Sequence, residues 1–124
     1  MKNVLIVEDS KAIRSMIRVA VEEVGDFFAV EATNGFEALR TLPTRRFDLI
    51  ITDINMPDIN GLELIGFVKS NPAYRDIPLI IVSTEKTDED KKRGLALGAF
   101  GYVEKPFKKE ELTAMVKKAI AGGP

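Results

Sequence analysis

The stretch Leu49-Ile50-Ile51-Thr52-Asp53-Ile54-Asn55-Met56-Pro57 decides the fold. Its opening is a short, continuous apolar run, the pattern of a strand covered on both faces. The run stops on a carboxylate, Asp53. The same grammar recurs along the chain. Val4-Leu5-Ile6-Val7 stops on Glu8-Asp9, and Leu79-Ile80-Ile81-Val82 stops on the hydroxyls Ser83 and Thr84. A shorter segment, Gly101-Tyr102-Val103-Glu104, runs into Lys105-Pro106. If these strands are parallel neighbours, three carboxylates, a hydroxyl and one ammonium meet at one end of one sheet. Such a cluster is costly unless a cation occupies it.

Helical patterns fill the gaps between strands. Ile13, Met16, Ile17, Ala20, Val21 and Val24 share one helical face, with Ser10 as a cap and Gly25 at the end. Asn34-Gly35-Phe36-Glu37 reads as an N-cap with Glu at N3, opening a short helix to Leu42 that Pro43 closes. A third helix covers Leu62 to Ser70, entered from the turn Pro57-Asp58-Ile59-Asn60-Gly61. A fourth covers Thr87 to Leu97 and is almost wholly polar in its first half, which reads as a solvated face and, compatibly, as a weakly anchored element able to shift. The fifth carries Leu112, Met115, Val116, Ala119 and Ile120 on one face. Strands alternating with helices predict an α/β fold with a five-stranded parallel sheet. Phe28-Ala29-Val30-Glu31-Ala32 and Gly101-Tyr102-Val103-Glu104 carry charge, as edge strands can. With the three apolar runs inside, this fits the doubly wound, flavodoxin-like order 2-1-3-4-5, taken from known sheets of this kind. In such sheets the site lies beyond the carboxyl ends of the strands, where the acids fall here.

Composition narrows the chemistry. The 124 residues predict one domain over residues 1–121, with 122–124 a tail. A net charge of -1 gives no global reason to expect nucleic acid or a membrane surface as partner. The apolar stretches are too short to span a bilayer, and the N-terminus lacks the apolar region of a signal peptide, so a cytoplasmic protein is expected. The chain has no cysteine and no histidine. A metal must therefore bind oxygen, which favours Mg²⁺, Mn²⁺ or Ca²⁺ over zinc.

Each candidate residue has a plain reading and a chemical one. Glu8 and Asp9 are either turn formers or, converging with Asp53, ligands of a hard cation; no P-loop or Gly-x-Gly-x-x-Gly is present. Pro57 forces a turn and Gly61 frees the backbone, a loop that holds the Asn55 carbonyl near the cation. Asp53 is either a helix cap or turn former or, beside a metal, a nucleophile towards phosphorus. Lys105 is either a solvent lysine or a partner for Asp53, and a cis bond to Pro106 would fix its direction. Ser83 is either a cap or a donor to a phosphoryl oxygen. Tyr102 is either an edge-strand aromatic or a side chain that moves between exposed and buried rotamers.

Val7-Glu8-Asp9-Ser10, Asp53 with Met56-Pro57 and Gly61, Ser83, and Lys105-Pro106-Phe107 follow one another in an order and spacing that resemble a response-regulator receiver domain of two-component signalling, across essentially the full chain. The resemblance implies that Asp53 accepts a phosphoryl group from a phosphohistidine on a sensor histidine kinase or histidine phosphotransfer protein. It implies Mg²⁺, with Mn²⁺ able to substitute, held by Asp9, Asp53 and the Asn55 backbone carbonyl, with Glu8 acting mainly through water. Lys105 would contact the phosphoryl group, Ser83 would shift towards it, and Tyr102 would turn inward. The face of the fourth helix, fifth strand and fifth helix would then change for a downstream protein target. Glu8 stands where Asp is common, and Ser83 where Thr is also frequent.

The implied protein is a switch rather than an enzyme, beyond phosphorylating itself from donors and losing the group to water. A stand-alone, monomeric regulator of chemotaxis type is expected, and Asn55 and Glu85 resemble chemotaxis members at positions that influence dephosphorylation. The alternatives are a single-domain phosphorelay intermediate, or a receiver fragment of a longer regulator with Gly122-Gly123-Pro124 as a cut linker. A metal-dependent phosphohydrolase fits less well, since no Asp-x-Asp follows the first strand.

Overall fold

A computed structural model describes residues 1–56, 58–84 and 88–121. The strands are β1 (Lys2–Val7), β2 (Phe27–Ala32), β3 (Leu49–Thr52), β4 (Leu79–Ser83) and β5 (Gly101–Glu104). The helices are α1 (Lys11–Val24), α2 (Gly35–Thr41), α3 (Gly61–Ser70), α4 (Asp88–Ala96) and α5 (Lys109–Ala121). All strand pairs are parallel and the order is β2-β1-β3-β4-β5, the expected doubly wound order, with the three apolar runs at the centre as their ranking predicts.

The sheet core follows from period-two alternation. Val4, Ile6, Leu49, Ile51, Ile80, Val82 and Val103 pack on one face with Ile17, Val21, Leu112 and Val116 of α1 and α5. Leu5, Val7, Ile50, Leu79 and Ile81 pack on the other with Ala38, Leu62, Leu64, Ile65 and Val68 of α2 and α3. Fully burying one such aliphatic side chain contributes roughly 1.5–3 kcal/mol. The three central strands are therefore fixed in depth by both layers, and their ends are fixed with them.

The helix boundaries add detail. Ser10 caps α1 by accepting from the Ile13 N–H at 3.3 Å. Met16, expected on the core face, is exposed, because it lies at the margin of the buried stripe formed by Ile17, Ala20 and Val21. Asn34 caps α2 as expected, but Glu37 reaches back to the N–H and hydroxyl of Thr33, one residue before the cap. α2 ends at Thr41, and Pro43 lies inside a 3₁₀ turn, Leu42–Thr44, whose first positions need no N–H. The reciprocal capping box belongs to α3, between Asn60 and Glu63. Of α4, expected from Thr87 to Leu97, the structure gives Asp88–Ala96; Thr87 lies outside the described residues. No described helix is long and apolar enough to cross a membrane.

Candidate functional site

Strand register brings the candidate residues to one level. Val7 pairs with Thr52, so Glu8 and Asp53 leave the sheet side by side. Ser83 pairs with Glu104, and the Lys105 N–H donates to the Ser83 carbonyl at 2.9 Å. Glu8, Asp9 and Asp53 each offer a carboxylate oxygen, and these oxygens lie within 4.8 Å of one another. Asp9 is exposed, whereas Glu8 and Asp53 are only 1% and 6% exposed.

The Lys105 ammonium lies between the two buried acids. It is 2.6 Å from Glu8 Oε1 and 3.1 Å from Asp53 Oδ2. Lys105 is expected from the sequence to pair with Asp53, and it does, but its shorter contact is with Glu8. The Lys105–Pro106 bond is cis. Asp53 Oδ1 accepts the N–H groups of Ile54 at 2.7 Å and Asn55 at 3.2 Å. Glu8 Oε2 accepts the Ser10 N–H at 3.0 Å. Burial pushes the Glu8 carboxyl above its ordinary value, against the opposing pull of Lys105 and the Ser10 N–H. Burial alone would lower Lys105, but Glu8 and Asp53 outweigh it and raise the ammonium above its ordinary value. One cation facing three carboxylates leaves the cluster negative. A hard cation with oxygen ligands fits that donor set.

The β3–α3 loop is held by close packing. A Cβ on Gly61 would lie 2.2 Å from the Asp53 carbonyl oxygen and 2.6 Å from Ile54 Cα. Gly61 has no positive φ, so it is required for lack of room rather than for backbone freedom. Its N–H donates to the Ile54 carbonyl at 2.8 Å. Asp58 reaches across to α2, accepting the N–H groups of Gly35 at 3.1 Å and Phe36 at 2.9 Å. Pro57 and Glu85 lie outside the described residues.

Ser83 is fully buried at the end of β4. Tyr102 is half-buried against the α2–α3 layer, and the Lys91 ammonium of α4 sits 5.8 Å from its ring centroid. Arg14 carries no signal in the sequence. Its guanidinium bonds the Glu8 and Asp9 carbonyls, and no motif marks a backbone contact of this kind.

Residues 4–117 match the response regulator receiver domain family. The chain belongs to that family. The receiver domain is 37% identical over 119 residues to the phosphate regulon transcriptional regulatory protein PhoB of Pseudomonas aeruginosa, covering 96% of this chain and 52% of PhoB. It thus spans about half the length of that relative. Among solved structures, the chemotaxis response regulator CheY4 of Vibrio cholerae superposes with a TM-score of 0.87 at 36% identity, covering 96% of this chain and 98% of CheY4. The Mn²⁺-bound form of response regulator Rcp1 gives 0.82 at 26% identity, over 94% and 90% of the two chains.

Proposed function

We propose that this receiver domain accepts a phosphoryl group on Asp53 from a phosphohistidine of a sensor histidine kinase or histidine phosphotransfer protein. The supporting observation is a buried Asp53 carboxylate, held by two backbone N–H groups and Lys105, with Glu8 and Asp9 beside it. An Asp53 oxygen attacks phosphorus, the phosphorus–nitrogen bond breaks, and the imidazole departs. Water later cleaves the acyl phosphate, so the signal limits itself. Asp9, Asp53 and the Asn55 carbonyl would hold Mg²⁺, or Mn²⁺ in its place, with Glu8 acting mainly through water. When bound, the cation supplies charge neutralisation at the phosphoryl oxygens. Lys105 leaves its carboxylate partners for the incoming phosphoryl group, and the Ser83 hydroxyl donates to it. The new charge and acceptor oxygens favour the conformer in which Tyr102 turns inward. That movement alters the α4–β5–α5 face for a downstream protein in the cytoplasm.

A chemotaxis or motility output is supported by a match that covers nearly all of CheY4. Membership of a longer transcriptional regulator is supported by PhoB, of which this chain spans half. The site chemistry is common to both. With Mg²⁺ and a small phosphodonor, the wild type is expected to take up one hydroxylamine-labile phosphoryl group, and Asp53→Asn none. Undiminished labelling of Asp53→Asn, stable to hydroxylamine, would overturn the assignment.

A further inference from the structure

Arg14 projects from the first turn of α1 and is nearly buried, with 12% of its side chain exposed. Its Nη1 donates to the carbonyls of Glu8 at 2.8 Å and Asp9 at 3.2 Å. Its Nε donates to Glu31 Oε1 on β2 at 2.8 Å. The other Glu31 oxygen pairs with Arg18, one helical turn further along α1. β1 and β2 are in register at Ile6 and Glu31, which sets Glu31 two residues short of Glu8.

We propose that Arg14 is a positioning residue for cation binding, clamping the Glu8–Asp9 backbone while Glu31 orients the clamp. The inference rests on the metal reading of the acidic cluster. Three carboxylates within 4.8 Å repel one another before a cation arrives, and Asp9, being exposed, has the freest route to swing away. Holding both carbonyls resists that opening. Glu31 offsets the Arg14 charge, so the clamp acts through geometry more than through field. Lysine is a poor replacement, because its three donors radiate from one nitrogen, whereas Arg14 uses a rigid fork with Nε on Glu31 and Nη1 on the two carbonyls.

The test is Mn²⁺ titration of the whole chain, followed by loss of the free-ion paramagnetic resonance signal, with Mg²⁺ as competitor. Arg14→Met is expected to weaken Mn²⁺ binding about ten- to a hundredfold, the usual effect of losing an outer-shell partner. Glu31→Gln keeps an acceptor for Arg14 Nε and is expected to weaken binding less. Ile17→Val, a core change on the same helix, is expected to lower the melting temperature and leave Mn²⁺ affinity intact. Wild-type affinity in Arg14→Met would overturn the clamp alone. So would an equal loss in Ile17→Val, which would reduce the effect to stability. A wild type that binds no Mn²⁺ would overturn the metal reading and the clamp with it.

Discussion

Asp53, Glu8 and Lys105 form a unit in which each side chain would be costly alone. Removing Lys105 leaves two buried carboxylates facing each other. Lys105→Met is therefore expected to lose about 3–5 kcal/mol of stability at neutral pH without metal, the usual cost of breaking a buried pair. Urea denaturation would measure it, and a loss near zero would contradict this account. In the wild type the Lys105 ammonium titrates above its ordinary 10.5 in the folded state. Its stabilisation is fully present below pH 10.5 and fades as pH rises through the higher folded value. The alkaline slope of stability should be shallower in Lys105→Met. The acids and the lysine were legible in sequence because each follows a strand-like run. That Lys105 lies nearest Glu8 was not legible, since a side-chain fork of this kind depends on how far β5 sits from β1 across β3 and β4.

The elements differ in how firmly they are held. α3 buries Leu62, Leu64, Ile65 and Val68, and its first residue, Gly61, packs against the backbone of Asp53. Gly61→Ala is expected to cost about 1–3 kcal/mol by overpacking and to slow labelling of Asp53, because the Cβ would collide with main chain rather than with a side-chain tip. Unchanged stability and labelling would show that the loop yields freely. α4 is the opposite case. Among its described residues only Gly94 is buried, with room for no more than Ile81 Cδ1 beside it. Its amides are expected to exchange with deuterium well ahead of those in α1 and α5 under native conditions. Equal protection would mean that α4 is anchored in some other way. The polarity of Asp88-Glu89-Asp90-Lys91-Lys92-Arg93 had already left both readings open, a solvated face and a loose element. The burial pattern supports them together.

At the scale of the molecule, sheet order separates two edges. β2 with α2 lies at one side, and β5 with α4 at the other. A phosphoryl analogue such as beryllofluoride, added with Mg²⁺, is expected to change amide exchange in the β3–α3 loop, α4 and β5 while β2 keeps its protection. A coupling of about 1–3 kcal/mol is typical of such switches. Uniform change across the sheet would argue against a switch confined to the α4–β5–α5 face. The α/β class, the central place of β1, β3 and β4, and the identity of the acids are legible in the chain before it folds, because continuous apolar runs report burial on both faces and the residue after each run marks a strand end. Tertiary structure decided what local pattern does not encode: the contact of Lys105 with Glu8, the lack of room at Gly61, and the grip of Arg14 on the acidic loop. Those depend on distances between segments far apart in the chain. Such distances are set only when both helical layers pack against the sheet.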